Sequence, residues 1–311
     1  MVEVTQSPNL SVEIAGIRMK NPVMTASGTF AFGRELCDLV DLNNLGALVT
    51  KGTSLDPWLG NPYPRTIETA AGMLNAIGLQ NDGVHSFVDE KLPWLSQFDV
   101  PVIVNVVGKT VEEYAEVARI LDDAGGAAGL EINISCPNVK EGCIAFGSSA
   151  QGTAEVIEAV RKVTKLPIIA KLSPNVTSIV EIARAAVGAG ADALSLINTL
   201  LGLAVDPWTR QFKLANITGG LSGPAIKPVA LRMVWEVSRA VSVPVIGMGG
   251  IMTASDAVEV LLVGARAVAV GTATFVNPCS LNEIIGDLRS HLGSFGVSDV
   301  REIIGTAGNS G

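Results

Sequence analysis

Leu130-Glu-Ile-Asn-Ile-Ser-Cys-Pro-Asn-Val-Lys-Glu-Gly-Cys-Ile-Ala-Phe-Gly147 is the stretch on which the fold reading turns. It opens as a strand, with Leu130, Ile132 and Ile134 alternating with Glu131 and Asn133. It stops at Pro137-Asn138, a turn signal that ends a strand and begins a loop. Cys136 therefore falls just past the C-terminal end of a strand. In parallel α/β folds that edge carries the chemistry. A thiol there is a candidate general base or nucleophile, and equally a structural cysteine. The rest of the chain decides.

Working outward, the same strand type recurs with two alternating entrances. Proline opens Asn21-Pro-Val-Met-Thr-Ala26, Val100-Pro-Val-Ile-Val-Asn105, Leu166-Pro-Ile-Ile-Ala-Lys171 and Val243-Pro-Val-Ile-Gly-Met248. Glycine opens Gly46-Ala-Leu-Val-Thr-Lys51, Gly129-Leu-Glu-Ile-Asn133, Gly190-Ala-Asp-Ala-Leu-Ser-Leu-Ile-Asn198 and Gly264-Ala-Arg-Ala-Val-Ala-Val-Gly271. Proline is tolerated at a strand start because its missing N–H need not enter the ladder. Glycine before a strand is what the end of a helix leaves behind. Amphipathic stretches at 110–123, 152–164, 177–188, 227–241 and 254–263 read as helices between the strands.

Eight such strands alternating with helices predict an α/β chain of the (β/α)8 TIM barrel type. An open doubly wound sheet, the competitor, has fewer strands and a fingerprint after the first. Residues 10–20 read as an N-terminal hairpin. Long loops follow strands two and six, at 52–99 and 199–226, and read as lids or binding walls. One barrel domain is expected over 1–311.

Composition agrees. The 311 residues are 48% apolar but only 5% aromatic, so the core is built from Val, Ile, Leu and Ala, which suits parallel strands buried on both faces. A net charge of −8 argues against a nucleic-acid or anionic-membrane partner, since both need clustered Lys and Arg. No apolar run approaches the ~20 residues of a membrane helix, and Ala193–Val205 is interrupted by Asn198. The N-terminus lacks a charged-then-apolar leader pattern. Cys37, Cys136, Cys143 and Cys279 form no Cys-x-x-Cys pair, so no metal or cluster site is expected in this chain. The cytoplasm is the natural compartment.

The strand ends carry the function. In order they are Ser27; Thr50 and Lys51; Asn105; Asn133 with Cys136; Lys171; Asn198 and Thr199; Gly249 and Gly250; Gly271 and Thr272. Any one is explained because strands must end somewhere. Two lysines and three asparagines at one mouth are not. Ile246-Gly-Met-Gly-Gly250 and Val270-Gly-Thr-Ala273 offer bare backbone after strands seven and eight, the usual phosphate position of this barrel. Gly219-Gly-Leu-Ser-Gly-Pro224 offers more. Lys51 and Lys171 call for an anion, and a phosphorylated flavin, FMN, supplies several.

Five segments together resemble one family: Asn21-Pro-Val-Met-Thr-Ala-Ser-Gly-Thr-Phe30, Gly72-Met-Leu-Asn-Ala-Ile-Gly-Leu-Gln-Asn81, Asn133-Ile-Ser-Cys-Pro-Asn-Val-Lys140, Ile197-Asn-Thr-Leu-Leu-Gly202 and Gly219-Gly-Leu-Ser-Gly-Pro-Ala-Ile-Lys-Pro228. They resemble dihydroorotate dehydrogenase of the soluble, cysteine-based class. The wording is most similar to the catalytic subunit of the NAD-linked heteromeric subclass. The resemblance implies oxidation of dihydroorotate to orotate in pyrimidine biosynthesis, with hydride to FMN and Cys136 as general base. It implies FMN contacts at Ser27, Lys51, Gly52, Asn105, Asn133, Lys171, Ile197, Gly223, Gly249, Gly250, Gly271 and Thr272. It implies substrate contacts at Lys51, Asn75, Ala76, Ile77, Gly78, Leu79, Asn133, Asn198 and Thr199.

A homodimer of this chain within a heterotetramer is implied as well. Its partner would be an electron-transfer subunit carrying FAD and [2Fe-2S]. The alternatives are a homodimeric fumarate-using enzyme or a related flavin dihydropyrimidine oxidoreductase. A flavin enzyme acting on tRNA would need a basic surface. Trp58 stands where the family has a basic residue, and Cys143 where glycine is usual. His85 and His291 fall in no motif and read as structural or surface residues.

Overall fold

The computed structural model describes residues 7–135 and 146–308. Its strands, in chain order, are β1 (Val12–Ile14), β2 (Ile17–Met19), β3 (Val23–Thr25), β4 (Leu48–Val49), β5 (Thr66–Thr69), β6 (Gly72–Asn75), β7 (Val102–Val106), β8 (Gly129–Asn133), β9 (Ile168–Lys171), β10 (Ala193–Leu196), β11 (Leu200–Leu203), β12 (Thr218–Ser222), β13 (Val245–Met248) and β14 (Ala267–Val270). Eight of them form one parallel sheet in the order β3-β14-β13-β10-β9-β8-β7-β4. The sheet closes on itself: Met24 bridges Ala47 in parallel, and the Gly46 N–H donates to the Val23 carbonyl at 2.9 Å. These are the eight strands read from their proline and glycine entrances. Every residue of β7, β8, β9, β10, β13 and β14 is buried, which is why they read as near-continuous apolar runs.

Helix starts follow from side-chain caps. Thr110, Ser149, Ser178 and Thr253 each accept a backbone N–H of the first turn, opening helices Val111–Ala124, Ala150–Arg161, Ile179–Gly188 and Ala254–Leu262. Ser149 and Ser178 explain the shifted starts relative to the periodicity, which pointed to residues 152 and 177. Helix Lys227–Ser238 begins at its expected residue, and helix Ser280–Ser294 adds an outer element that the reading did not anticipate.

The N-terminal hairpin is β1 and β2, antiparallel, with Val12 opposite Met19. Its turn, Ala15-Gly16, has both φ angles positive, 52° and 84°, the twist that favours two-residue hairpins. Val12, Ile14, Ile17 and Met19 all face inward, against the end of the barrel where the strands begin. Ile17 lies so close to Gly129 that a Cβ there would meet its Cδ1 at 2.8 Å.

The two long connections are not separate loops. They join in a four-stranded antiparallel sheet ordered β11-β12-β6-β5. Asn75 pairs with Gly220 and Met73 with Ser222. A small cluster of Leu74, Ala76 and Leu214 backs this sheet, apart from the main core. Among the described residues no helix is long and apolar enough to cross a membrane.

Candidate active site

One cavity of about 300 Å³ opens at the C-terminal ends of the barrel strands, within the usual range for a small-molecule site. It is lined by Ser27, Lys51, Gly52, Asn105, Asn133, Lys171, Ile197, Asn198, Thr199, Gly223, Gly249, Gly250, Gly271 and Thr272, together with Asn75, Ile77, Gly78 and Leu79. These are strand-end residues and the wall segment of the 52–99 connection, brought to one place. Ala76 is different. Its side chain belongs to the cluster behind the lid sheet, its N–H donates to Arg65 and its carbonyl accepts from Asn61. It therefore braces the segment and gives no surface to the cavity. Cys136 and Cys143 lie outside the described residues.

The floor is a buried polar network. Glu131 is 2% exposed and accepts three hydrogen bonds: Asn105 Nδ2 at 2.6 Å, Ser195 Oγ at 2.8 Å and Lys171 Nζ at 3.4 Å. Lys171 also donates to Ser27 Oγ at 2.6 Å. Asn133 Nδ2 donates to Asn105 Oδ1, and Asn133 Oδ1 accepts from the Ser135 N–H and hydroxyl. An ionised carboxylate only accepts, so it turns the N–H side of Asn105 and Lys171 toward itself and fixes both rotamers. Tyr114, from helix Val111–Ala124, donates to the Asn133 carbonyl at 2.8 Å and pins the end of β8.

Part of the cavity wall is bare backbone. The N–H groups of Gly249, Gly250, Gly271 and Thr272 have no acceptor among the described residues. Gly249 and Gly250 have φ of 123° and 75°, which a side chain resists. Unpaired amides beside glycines at positive φ can form an anion-binding concavity. Thr272 Oγ1 donates to Ser222 Oγ at 2.8 Å, tying this wall to β12.

Lys51 supplies positive charge at the mouth. Its ammonium has no hydrogen bond or ion pair among the described residues. Burial, with Arg65 nearby, pushes its pKa below the ordinary lysine value. A desolvated cation facing a cavity gains most from an anionic ligand. Nearby, Asn198 Nδ2 donates to Ser135 Oγ at 2.8 Å, and Asn198 Oδ1 accepts the Thr199 N–H. The bare amides, a Lys51 without a partner among the described residues and the donor-lined floor fit a planar ligand that carries a phosphate and an anionic acceptor edge. FMN has that form, so the residues present fit it.

Three contributors went unread in the sequence. Glu131 alternates with the apolar residues of its strand and signals no task by itself; burial of both faces of β8 makes it the acceptor of the floor. Arg65 and Phe275 line the cavity but sit in no strand-end pattern. Arg65 donates to Gln80 Oε1 and stacks on Tyr63 with its guanidinium 4.4 Å from the ring centre. Trp58, the departure from the family pattern, lies under Lys109, whose ammonium is 5.2 Å from the indole.

The fold and this mouth define a (β/α)8 barrel with an anion-accepting cavity under a β-sheet lid. The chain belongs to the dihydroorotate dehydrogenase family: the family model described as "Dihydroorotate dehydrogenase" matches residues 9–292. A relative from Geotalea daltonii is 60% identical over 298 residues, covering 96% of this chain and 98% of that protein. One from Geobacter sulfurreducens is 58% identical over 300 residues, at the same coverage. Both carry the name dihydroorotate dehydrogenase B (NAD(+)), catalytic subunit. In fold the chain is similar to DHODH from Eimeria tenella, solved with ferulenol, at a TM-score of 0.82 and 23% identity over 98% of this chain and 90% of that one.

Proposed function

We propose that this chain is the catalytic subunit of an NAD-linked dihydroorotate dehydrogenase. It oxidises dihydroorotate to orotate in pyrimidine biosynthesis. The cavity residues would hold FMN, which when bound would supply the hydride acceptor for substrate C6. The observation that carries the cofactor reading is one cavity lined both by four backbone amides and by Lys51, none of them with a partner among the described residues.

The chain's own groups then have these tasks. Gly249, Gly250, Gly271 and Thr272 hold the phosphate, with Gly223 beside them. Ser27, Gly52, Asn105, Lys171 and Ile197 bed the flavin. Lys171, a fixed donor in a dry site, would stabilise negative charge on a bound flavin ring. Asn75, Asn133, Asn198 and Thr199 hold the amide edges of the pyrimidine, since each asparagine offers both a donor and an acceptor. Ile77, Gly78 and Leu79 close the substrate side, and Lys51 neutralises the substrate carboxylate. Cys136 takes the C5 proton. An ordinary thiol pKa of about 8.5 is within reach of neutral pH for that step.

The reaction balances as dihydroorotate plus NAD⁺ giving orotate, NADH and a proton. In this reading the electrons leave through a partner subunit bearing FAD and [2Fe-2S], in a heterotetramer built on a dimer of this chain. The name shared by the relatives, with its words "catalytic subunit" and "NAD(+)", favours this over a fumarate-using homodimer.

The test is an anaerobic visible spectrum of the purified chain with and without dihydroorotate. Flavin absorbance that bleaches on adding substrate is expected, with NAD⁺ reduced only when the partner is added. A chain that takes up no FMN, or that reduces fumarate rapidly alone, refutes the respective part.

A further inference from the structure

We propose that Lys227 is a positioning residue for the phosphate end of the site. It clamps the loop Gly249–Thr253 in the form that leaves the Gly249 and Gly250 amides bare. The inference rests on the FMN reading above.

Lys227 is the first residue of helix Lys227–Ser238, where a cation opposes the helix dipole. It does not line the cavity. Its ammonium instead donates to Asp256 Oδ1 at 2.6 Å and Glu259 Oε1 at 3.0 Å, both on the next helix. The other oxygen of Asp256 accepts the N–H groups of Met252 and Thr253, at 3.0 and 2.9 Å, and the Thr253 hydroxyl at 2.9 Å. One carboxylate thus ties the ammonium to the second half of the loop.

The first half rests on Lys227 itself. A Cβ on Gly250 would lie 2.6 Å from Lys227 Cβ and 2.9 Å from its backbone nitrogen. Both halves of the loop are therefore referenced to a single residue. Burial acts to raise the Asp256 carboxyl, but hydrogen bonds from Lys227, Met252 and Thr253 hold it below its ordinary range. Two carboxylates neutralise the ammonium, so its task is to place the loop and not to meet the anion. A clamp of this kind acts on the phosphate end of a ligand and not on its ring.

The experiment compares FMN with riboflavin, which lacks the phosphate, by flavin fluorescence titration of the FMN-stripped full chain. Lys227→Met is expected to weaken FMN binding about tenfold or more, the scale of a lost charged hydrogen bond, while riboflavin binding stays within about twofold. Lys227→Arg keeps the pair and is expected to recover most of the FMN affinity. Equal losses for the two flavins, or no loss for either, overturn the clamp. Asp256→Asn cuts the same pair from the other side. It must show the same selective loss, which keeps the test open should Lys227→Met fail to fold. A wild-type chain that binds neither flavin refutes the cofactor reading itself, a result distinct from either failure of the clamp.

Discussion

Glu131→Gln tests the floor of the site most directly. In the wild-type protein the Glu131–Lys171 pair is almost dry, with side-chain exposures of 2% and 4%, and its N···O separation is 3.4 Å. Glutamine keeps the shape and still accepts from Asn105 or Ser195, but it removes the only carboxylate beside Lys171. Breaking a buried pair from one side leaves an uncompensated charge and costs roughly 3–5 kcal/mol. Part of that is softened because Lys171 keeps its 2.6 Å bond to Ser27, so about 3 kcal/mol is the expected loss. Lys171→Met in the same chain then removes the stranded charge. Replacing both members of a buried pair is often neutral, so the double variant is expected within about 1 kcal/mol of wild type. Equilibrium denaturation of the FMN-free chain, following tryptophan fluorescence in urea, measures all three proteins. A double variant less stable than Glu131→Gln alone, or a single variant indistinguishable from wild type, refutes the account of the floor as a charge pair.

Gly250→Ala puts a side chain at φ of 75° and 2.6 Å from Lys227 Cβ, whereas Gly271→Ala meets nothing closer than Ala26 Cβ at 3.3 Å. With a left-handed strain of about 1–2 kcal/mol added, the first is expected to lose far more FMN affinity than the second, and the reverse order in a fluorescence titration sinks the phosphate-loop assignment. Lys51→Met is expected to raise the stability of the ligand-free chain at pH 7 while lowering its affinity for orotate. The sign follows from the depressed pKa: the folded state binds that proton more weakly than the unfolded chain, so the charged lysine destabilises at neutral pH, and the penalty fades as pH rises toward 10.5. Denaturation at pH 7 and pH 9.5 should show the gap between variant and wild type narrowing; a variant less stable at pH 7 contradicts it. Cys136→Ala is expected to retain FMN and lose about 10²–10⁴ of turnover near neutral pH, the contribution of a general base, and unchanged turnover in a dihydroorotate assay removes Cys136 from the chemistry.

The barrel was legible because its signals are local. A proline or glycine entrance and a short apolar run mark a strand without reference to its neighbour, and parallel strands buried on both faces repeat that signature. The mouth was legible for the same reason, since each polar residue directly follows its own strand. Glu131 was not. Alternation along β8 does not say what a buried carboxylate would meet, and only closure of the sheet brings Asn105, Lys171 and Ser195 to it. The lid sheet was illegible because its strands are four or five residues long and its pairing is remote: Asn75 donates to the Gly220 carbonyl across 145 residues of sequence. Nothing near Thr66–Thr69 or Leu200–Leu203 announces a partner that far away.

That remote pairing explains how a substrate wall and a cofactor floor come to face each other. The barrel core fixes the cofactor side and is continuous from β3 to β14. The lid has only Leu74, Ala76 and Leu214 fully buried behind it, too little to hold four strands by hydrophobic burial alone. Its strands are drawn together instead by close approach at glycine. A Cβ on Gly72 would lie 1.9 Å from the Ser222 carbonyl oxygen, and one on Gly220 would lie 2.0 Å from Thr199 Oγ1. The glycines let β6, β12 and Thr199 meet without side chains between them, and Thr272 hydrogen-bonds Ser222 from the barrel side. Asn75 on β6 and Thr199 just before β11 thereby come from two distant segments to line the same cavity as Asn133 and Lys171, which the barrel alone positions.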